Sequence, residues 1–510
     1  MLTDYAPVRP GSAAPSDPRP RAVVIGSGFG GLAAAVRLLA RGYRVTVLEK
    51  LEQAGGRASV FRQDGFTFDA GPTIITLPFV FEELWALAGR KLSDDVTLKA
   101  LTPFYKLMFA DGSHFTCSGD EETARAEVRR LSPGDVEGYD RFLIESASIY
   151  KFAFEWLGQV PFNDISTMAQ AIPGFVNHRA DRSVFKLASK YFRDPRLRIA
   201  FSFHPLFIGG NPLRATALYA LVSHLERTYG VHFAMGGTGA LVTGLVSLIE
   251  RMGGEVRLNA GVEKILVKNG TATGVRLEDG ETIKAAVVVS NADPATTYGT
   301  LLEGGRKRWS QRKLERMNYS MSLLVWYFGT RKRYEHVDHH TILLGPRYQE
   351  LLTDIFDRKV LADDFSLYIY RPTASDPSLA PEGCDAFYAL SPVPHLGADI
   401  DWTVMAEPYR QRIARALDQR MMPGFEKEVV TSKLFTPLDF RDRLSSPLGA
   451  AFSFEPTLLQ SAWFRPHNRS EEAKNLYLVG AGTHPGAGVP GVISSARILD
   501  LLVPHGSTLR

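Results

Sequence analysis

Arg21-Ala-Val-Val-Ile-Gly26-Ser-Gly28-Phe-Gly30-Gly31-Leu-Ala-Ala-Ala-Val36-Arg-Leu-Leu-Ala40-Arg-Gly42-Tyr-Arg-Val45-Thr-Val-Leu48-Glu49 decides the fold. Ala22–Ile25 is a short apolar, β-branched run that predicts a strand. A glycine turn follows at once, then an alanine-rich helix from Leu32 that Gly42 stops. Val45–Leu48 predicts a second strand, and it ends on an acid, Glu49. Strand, glycine turn, helix, strand and acid within about 30 residues make a βαβ unit. Gly26, Gly28 and Gly31 form G-x-G-x-x-G: one glycine for the tight turn, one for close approach to a pyrophosphate, one for packing helix on strand. The phosphates would sit at the positive helix N-terminus. Glu49 would accept hydrogen bonds from both ribose hydroxyls, which disfavours a 2′-phosphorylated nucleotide.

Two further glycine clusters lie outside this unit. Gly55-Gly56-Arg57 follows Glu49 closely; the pair admits a cofactor against backbone, and the arginine fork suits a phosphate. Near the other end, Leu476–Ala496 runs from a strand into Gly480-Ala-Gly482-Thr-His484-Pro-Gly486-Ala-Gly488-Val-Pro490-Gly491-Val492. Pro490 stands where a new helix should begin, and a loop so poor in side chains lets a large flat ring lie against it. That helix would aim its N-terminus at the ring and favour negative charge developing there. Between these clusters, Glu255–Val289 reads as three strands, with Asn269-Gly270 and Asp279-Gly280 as hairpin turns.

The chain has 510 residues, 45% hydrophobic and 22% charged, which excludes collagen, a disulfide scaffold and general disorder. Its two cysteines, Cys117 and Cys384, form no C-x-x-C pair and fit a reducing compartment. Net charge +4 is spread along the chain; Arg306–Arg308 and Arg331–Arg333 are the only basic triplets, so no nucleic acid is expected as partner. No segment reads as a transmembrane helix, because the longest stretch without Asp, Glu, Lys or Arg, Asn475–Ala496, is full of Gly, Pro and Thr. Residues 1–20, with five prolines, read as a disordered leader. The expected architecture is α/β: a discontinuous Rossmann-type dinucleotide domain with a three-stranded β-meander, made of 21–78, 232–298 and 470–503. An inserted α+β substrate-binding domain fills 79–231 and 299–469, where most of the aromatics lie.

The G-x-G-x-x-G with Glu49, Gly55-Gly56-Arg57, Gly65-Phe-Thr-Phe-Asp69-Ala-Gly71-Pro72-Thr73, Met235-Gly-Gly-Thr-Gly-Ala-Leu241, Ser290-Asn-Ala-Asp293 and Asn475–Val492 together resemble the bacterial and fungal phytoene desaturases, within the amine-oxidase-like flavoproteins. The resemblance runs from about residue 22 to 503; Met235 departs from it, where the family often has a basic residue. It implies FAD as cofactor, held by Gly26, Gly28, Gly31, Glu49, Gly55, Gly56, Arg57, Val262, Gly480, Gly482, Pro490, Gly491 and Val492, and no metal. It implies stepwise desaturation of phytoene to neurosporene or lycopene, by hydride loss to the flavin and proton loss from the neighbouring carbon. A related carotenoid oxidoreductase (methoxyneurosporene or dehydrosqualene desaturase, carotene isomerase) is the nearest alternative. A non-catalytic prenyl-binding chaperone on the same fold is a distant one, since a chaperone need not keep all the glycine clusters. The partners implied are phytoene, its partly desaturated products, and dioxygen or a quinone as electron acceptor.

A substrate insoluble in water also implies peripheral attachment to a membrane, taken here as its cytoplasmic face. Segment 142–162, with five Phe or Tyr residues and Trp156, either dips into that membrane or forms core of the second domain, and core is the favoured reading. No catalytic base stands out. His204 and His484 read as packing residues, and Arg57 and Asp69 as cofactor or loop residues.

Overall fold

A computed structural model describes residues 17–304 and 308–509. Most of the leader and two members of the Arg306–Arg308 triplet lie outside the described residues.

Five parallel strands form one sheet, in the order Leu476–Leu478, Val287–Ser290, Arg21–Ile25, Arg44–Leu48, Glu255–Arg257. Alternation along Arg21–Ile25 shows how it is buried. Ala22 and Val24 join the core under the helices Phe29–Ala40 and Thr238–Arg251, while Val23 and Ile25 join a second core on the opposite face. A parallel sheet covered on both faces needs such a continuous apolar run. The second face is covered by an antiparallel meander, Val262–Lys268, Thr271–Leu277 and Thr282–Lys284.

The stretch expected to be three strands is therefore five. Glu255–Arg257 pairs with Arg44–Leu48 in the parallel sheet, and the run from Thr282 breaks at Ala285-Ala286 so that Val287–Ser290 can enter it. Periodicity could not reveal that break, because both halves are equally apolar and only the partner strand differs.

The remaining large sheet has seven strands, in the order Val429–Phe435, Ser322–Thr330, Asp385–Val393, Leu367–Tyr370, His340–Leu343, Tyr105–Met108, His114–Cys117. All its pairings are antiparallel except His340–Leu343 with Tyr105–Met108. Ser322–Thr330 is buried throughout. Leu323, Val325 and Tyr327 face the core shared with helix Val136–Tyr150, whereas Leu324, Trp326 and Phe328 face helix Trp402–Arg420.

Segment 142–162 belongs to the core. Phe142, Ile149, Tyr150, Leu157 and Phe162 are buried, and Phe152 and Trp156 pack against them from its edge. Among the described residues no helix is long and apolar enough to cross a membrane.

Candidate flavin and substrate cavity

The site begins where strand Arg21–Ile25 ends. Gly26 has φ +87°, a left-handed conformation that favours glycine, and its amide donates to Leu48 O at 2.8 Å. Gly31 is required for a different reason: a Cβ there would lie 2.0 Å from Gly26 O. The helix Phe29–Ala40 begins behind Gly28 with no side-chain cap. Its first-turn amides are therefore left to other partners.

Glu49 closes one side of this turn. Its Oε2 accepts from the amide and hydroxyl of Ser27 at 2.9 and 2.7 Å, and its Oε1 accepts from the Leu51 amide at 3.0 Å. The carboxylate thus staples the glycine turn to the end of the second strand. A carboxylate has about four lone-pair sites, so one acceptor position remains for a ligand hydroxyl, where the sequence predicts room for both ribose hydroxyls.

These residues open onto a cavity of about 800 Å³. Its wall includes Gly26, Gly28, Glu49, Gly55, Gly56, Arg57, Val262, Gly480, Pro490, Gly491 and Val492. Gly31 and Gly482 are not in the wall. Gly31 packs beneath the turn, and a Cβ at Gly482 would meet Pro294 Cδ at 2.2 Å, so it serves the loop's packing. Helix Val489–Arg497 starts at the same wall, with Pro490 in its first turn and again no side-chain cap. Arg57 Nη2 donates to Ser446 Oγ at 2.6 Å, while its buried Nε has no partner.

Two uncapped helix N-termini, an available carboxylate lone pair and an unpartnered guanidinium N–H around a floor of backbone fit an anionic dinucleotide. The residues present therefore suit a flavin adenine dinucleotide.

Asp69 lies deeper. Its Oδ1 accepts from Thr238 N at 2.8 Å and its Oδ2 from the Tyr370 hydroxyl at 2.9 Å. Burial pushes its carboxyl up to about 6. It holds the start of helix Thr238–Arg251 against the large sheet, as expected of a loop residue. His484 is buried in the wall, with Nε2 2.9 Å from Leu157 O, its ring edge against Phe162, and its imidazole pulled down to about 3 by burial.

Beyond the glycine cradle the cavity changes character. Leu323, Val325, Leu390, Ile342, Phe207 and Leu221 give it an apolar wall drawn from the large sheet and the helices over it. Two buried polar groups interrupt that wall. In one, Thr73 Oγ1 bridges the hydroxyls of Tyr368 and Tyr388 at 2.8 and 2.9 Å, and Tyr368 also meets His340 Nδ1 at 2.7 Å. Burial raises both phenols and lowers His340, so all stay neutral. In the other, Tyr105 joins His204 and Glu226.

The chain matches the family of flavin containing amine oxidoreductases over residues 29–498. It is 52% identical to a neurosporene-forming phytoene desaturase of Cereibacter sphaeroides, over 98% of this chain and 97% of that one. It is 49% identical to a lycopene-forming phytoene desaturase of Pseudescherichia vulneris, over 94% and 97%.

The chain belongs to the phytoene desaturases, within the flavin-containing amine oxidoreductases.

Solved structures agree in fold. An oxidoreductase from Methanosarcina mazei superposes with TM-score 0.62 at 18% identity, covering 94% of this chain and 99% of that one. Putrescine oxidase bound to putrescine gives 0.64 at 15%, over 95% and 99%. The cofactor of this desaturase family member is FAD.

Asn291 stands in the Ser290–Asp293 motif, but sequence reasoning gave it no role in the site. It lines the cavity one residue past strand Val287–Ser290, and its side chain is what a Cβ at Gly28, Gly30 or Gly480 would meet, at 3.0, 2.5 and 2.7 Å. The signal was available: ligands in such sheets bind at the carboxyl ends of strands, and Ser290-Asn291 ends one. Glu226 and Tyr105 carried no local signal, since neither lies in a motif.

Proposed function

We propose that this chain desaturates phytoene stepwise toward neurosporene and lycopene, using FAD. The observation that carries this reading is one cavity in which a dinucleotide cradle opens into an apolar limb, in a chain half identical to phytoene desaturases along almost its whole length.

Each desaturation removes hydrogens from two neighbouring carbons. One leaves with its C–H electron pair as hydride and the other as a proton, and the pair left behind closes the new double bond. FAD supplies the hydride acceptor and overall takes up both hydrogens. The protein's part is positioning. Leu323, Val325 and Leu390 line the limb and suit a hydrocarbon that offers nothing to hydrogen-bond. The uncapped N-terminus of helix Val489–Arg497 favours negative charge gathering beside it.

The division into a flavin unit (21–78, 232–298, 470–503) and a substrate unit (79–231, 299–469) is part of this reading. It is supported by the strands of the parallel sheet, all in the first set, and of the seven-stranded sheet, all in the second.

The substrate must be collected from a bilayer, and the surface that suits this contact is helix Ile165–Asn177. The helix contains no Asp, Glu, Lys or Arg. Ile165, Ile172 and Val176, on one face, are 67%, 50% and 66% exposed. The adjoining face, Met168, Ala171 and Phe175, packs against the core, with Phe175 edge-on to Phe152. Ala153, the next residue, lines the cavity.

Expression in a phytoene-accumulating host with pigment chromatography tests the activity and counts the steps. Unchanged phytoene beside flavin-loaded protein would refute it. Supplying purified holoenzyme and phytoene in lipid vesicles with either dioxygen or a quinone, and measuring turnover with each, identifies the electron acceptor.

A further inference from the structure

Glu226 is a charged residue in a cavity whose substrate has no polar atom. It is 5% exposed, stands in helix Leu221–Tyr229, and lines the apolar limb beside Val222 and Leu225. Its Oε2 accepts from the Tyr105 hydroxyl at 2.6 Å. Burial, and then Glu226 itself, hold the Tyr105 phenol well above its usual range, so that proton stays on Tyr105. With its single proton committed, Tyr105 must accept from His204 Nε2, 2.9 Å away, which assigns the His204 tautomer. Two donors in series thus aim at one carboxylate oxygen. Oε1 takes no hydrogen bond from any described residue, and the nearest ion-pair partner of the carboxylate is His204 itself, at 3.5 Å. No Lys or Arg among the described residues neutralises it by a salt bridge.

A glutamine would tie the helix to Tyr105 equally well without placing a charge in an apolar wall, which is costly to bury. The position explains what the charge is for. His204 opens the 3₁₀ turn His204–Ile208, and Ile208 lies against Gly488, where a Cβ would be 3.2 Å from it. Four residues at about 2.0 Å rise separate the backbones of His204 and Ile208 by roughly 8 Å. His204, Glu226 and Gly488 line one cavity, so a charge on Glu226 acts through a low-dielectric space on what is held beside the glycine loop.

We propose that Glu226, oriented by Tyr105 and His204, is the fixed negative charge that stabilises the positive charge spread along the polyene once hydride has left it. Tyr105 and His204 are its positioning residues. This rests on the desaturase reading above, because only hydride loss from a hydrocarbon makes such a cation.

The test compares wild-type holoenzyme with Glu226→Gln and Glu226→Asp, first for flavin content and melting temperature. Two probes are then bound to each: a geranylgeranyl chain carrying a trimethylammonium group, and the saturated hydrocarbon of the same length. Glu226→Gln is expected to weaken the ammonium about 30-fold and leave the hydrocarbon unchanged, as for loss of one unit charge in a partly desolvated site. Glu226→Asp, which keeps the charge, retains the ammonium preference within about threefold. In anaerobic mixing with phytoene, flavin bleaching slows about 30-fold in Glu226→Gln. An ammonium bound equally by wild type and Glu226→Gln, or a preference that Glu226→Asp loses as fully as Glu226→Gln, overturns the proposal. If wild type fails to bleach with phytoene, the desaturase reading falls, while the probe comparison still judges the charge.

Discussion

The two ends of the cavity are built in opposite ways. At the cradle the wall is largely backbone: glycines and two bare helix N-termini, with Glu49, Arg57 and Asn291 among its few side chains, supplied mostly by short contiguous motifs. In the limb the wall is side chains, gathered from strands and helices as far apart in sequence as Thr73 and Leu390. A backbone wall tolerates no added atom but is indifferent to what lies beyond it. A side-chain wall sets length and shape, and can be reshaped without touching the cofactor. The two ends should therefore fail differently.

The most complete loss of function is expected at Gly31→Ala. The new Cβ would press on Gly26 O at 2.0 Å, a backbone atom that can yield only by moving the turn. Overpacking of this kind costs about 1–3 kcal/mol, and we expect flavin content and pigment formation to be lost together. Retention of both would show that the turn is plastic and the contrast overdrawn.

Asp69 comes next and belongs to neither wall. Its carboxyl, at about 6, stands above the ordinary value of 3.8, so the folded state holds its proton more tightly than the unfolded one. The stability this gives is full below about pH 4 and is lost as pH rises through about 6. Denaturant titrations of wild type and Asp69→Asn from pH 4 to 7 should diverge by roughly 3 kcal/mol, against wild type at the higher pH. A constant gap would mean that the two hydrogen bonds to Asp69 outweigh its burial.

Glu49→Ala removes a ligand acceptor and frees the Ser27 and Leu51 amides. A loss of about 2 kcal/mol in FAD affinity is expected by fluorescence titration, as for hydrogen bonds to a charged group. Affinity unchanged within error would move the ribose away from Glu49.

Val325→Phe sharpens the contrast from the other end. Extra bulk in the limb should leave flavin content intact and shift the products toward fewer double bonds, read by chromatography. Flavin loss here would join the two ends into one unit.

The smallest effect is expected at the surface. Ile172→Asp with Val176→Asp should lower co-flotation with lipid vesicles several-fold and leave melting temperature within a few degrees. Each buried Ile or Val is worth about 1.5–3 kcal/mol when fully withdrawn from water. Undiminished flotation would direct the membrane contact elsewhere.

Legibility followed the same division. Gly26 to Glu49 could be read because a βαβ unit is a local object: its turn, helix and acid are fixed by neighbours in sequence. The terminal glycine loop could be read for the same reason. The break at Ala285-Ala286 could not, since a strand's sheet is chosen by its partner. Asn291 was half legible, as a strand end without a visible partner. Segment 142–162 gave the right preference for core, but the exposed apolar stripe lay just past it, on Ile165–Val176, where only burial distinguishes an outward isoleucine from an inward one.

From the amino-acid sequence alone came the dinucleotide turn, the family and the chemistry of the cofactor, because backbone conformation at glycine and helix starts is set within a few residues. The tertiary structure alone decided what the cofactor faces. Tyr105, His204 and Glu226 are separated by up to 121 residues, and meet only because folding brings strand Tyr105–Met108 and helix Leu221–Tyr229 side by side. Contacts of that range leave no period or motif in the chain; they exist only once the apolar faces have been buried together.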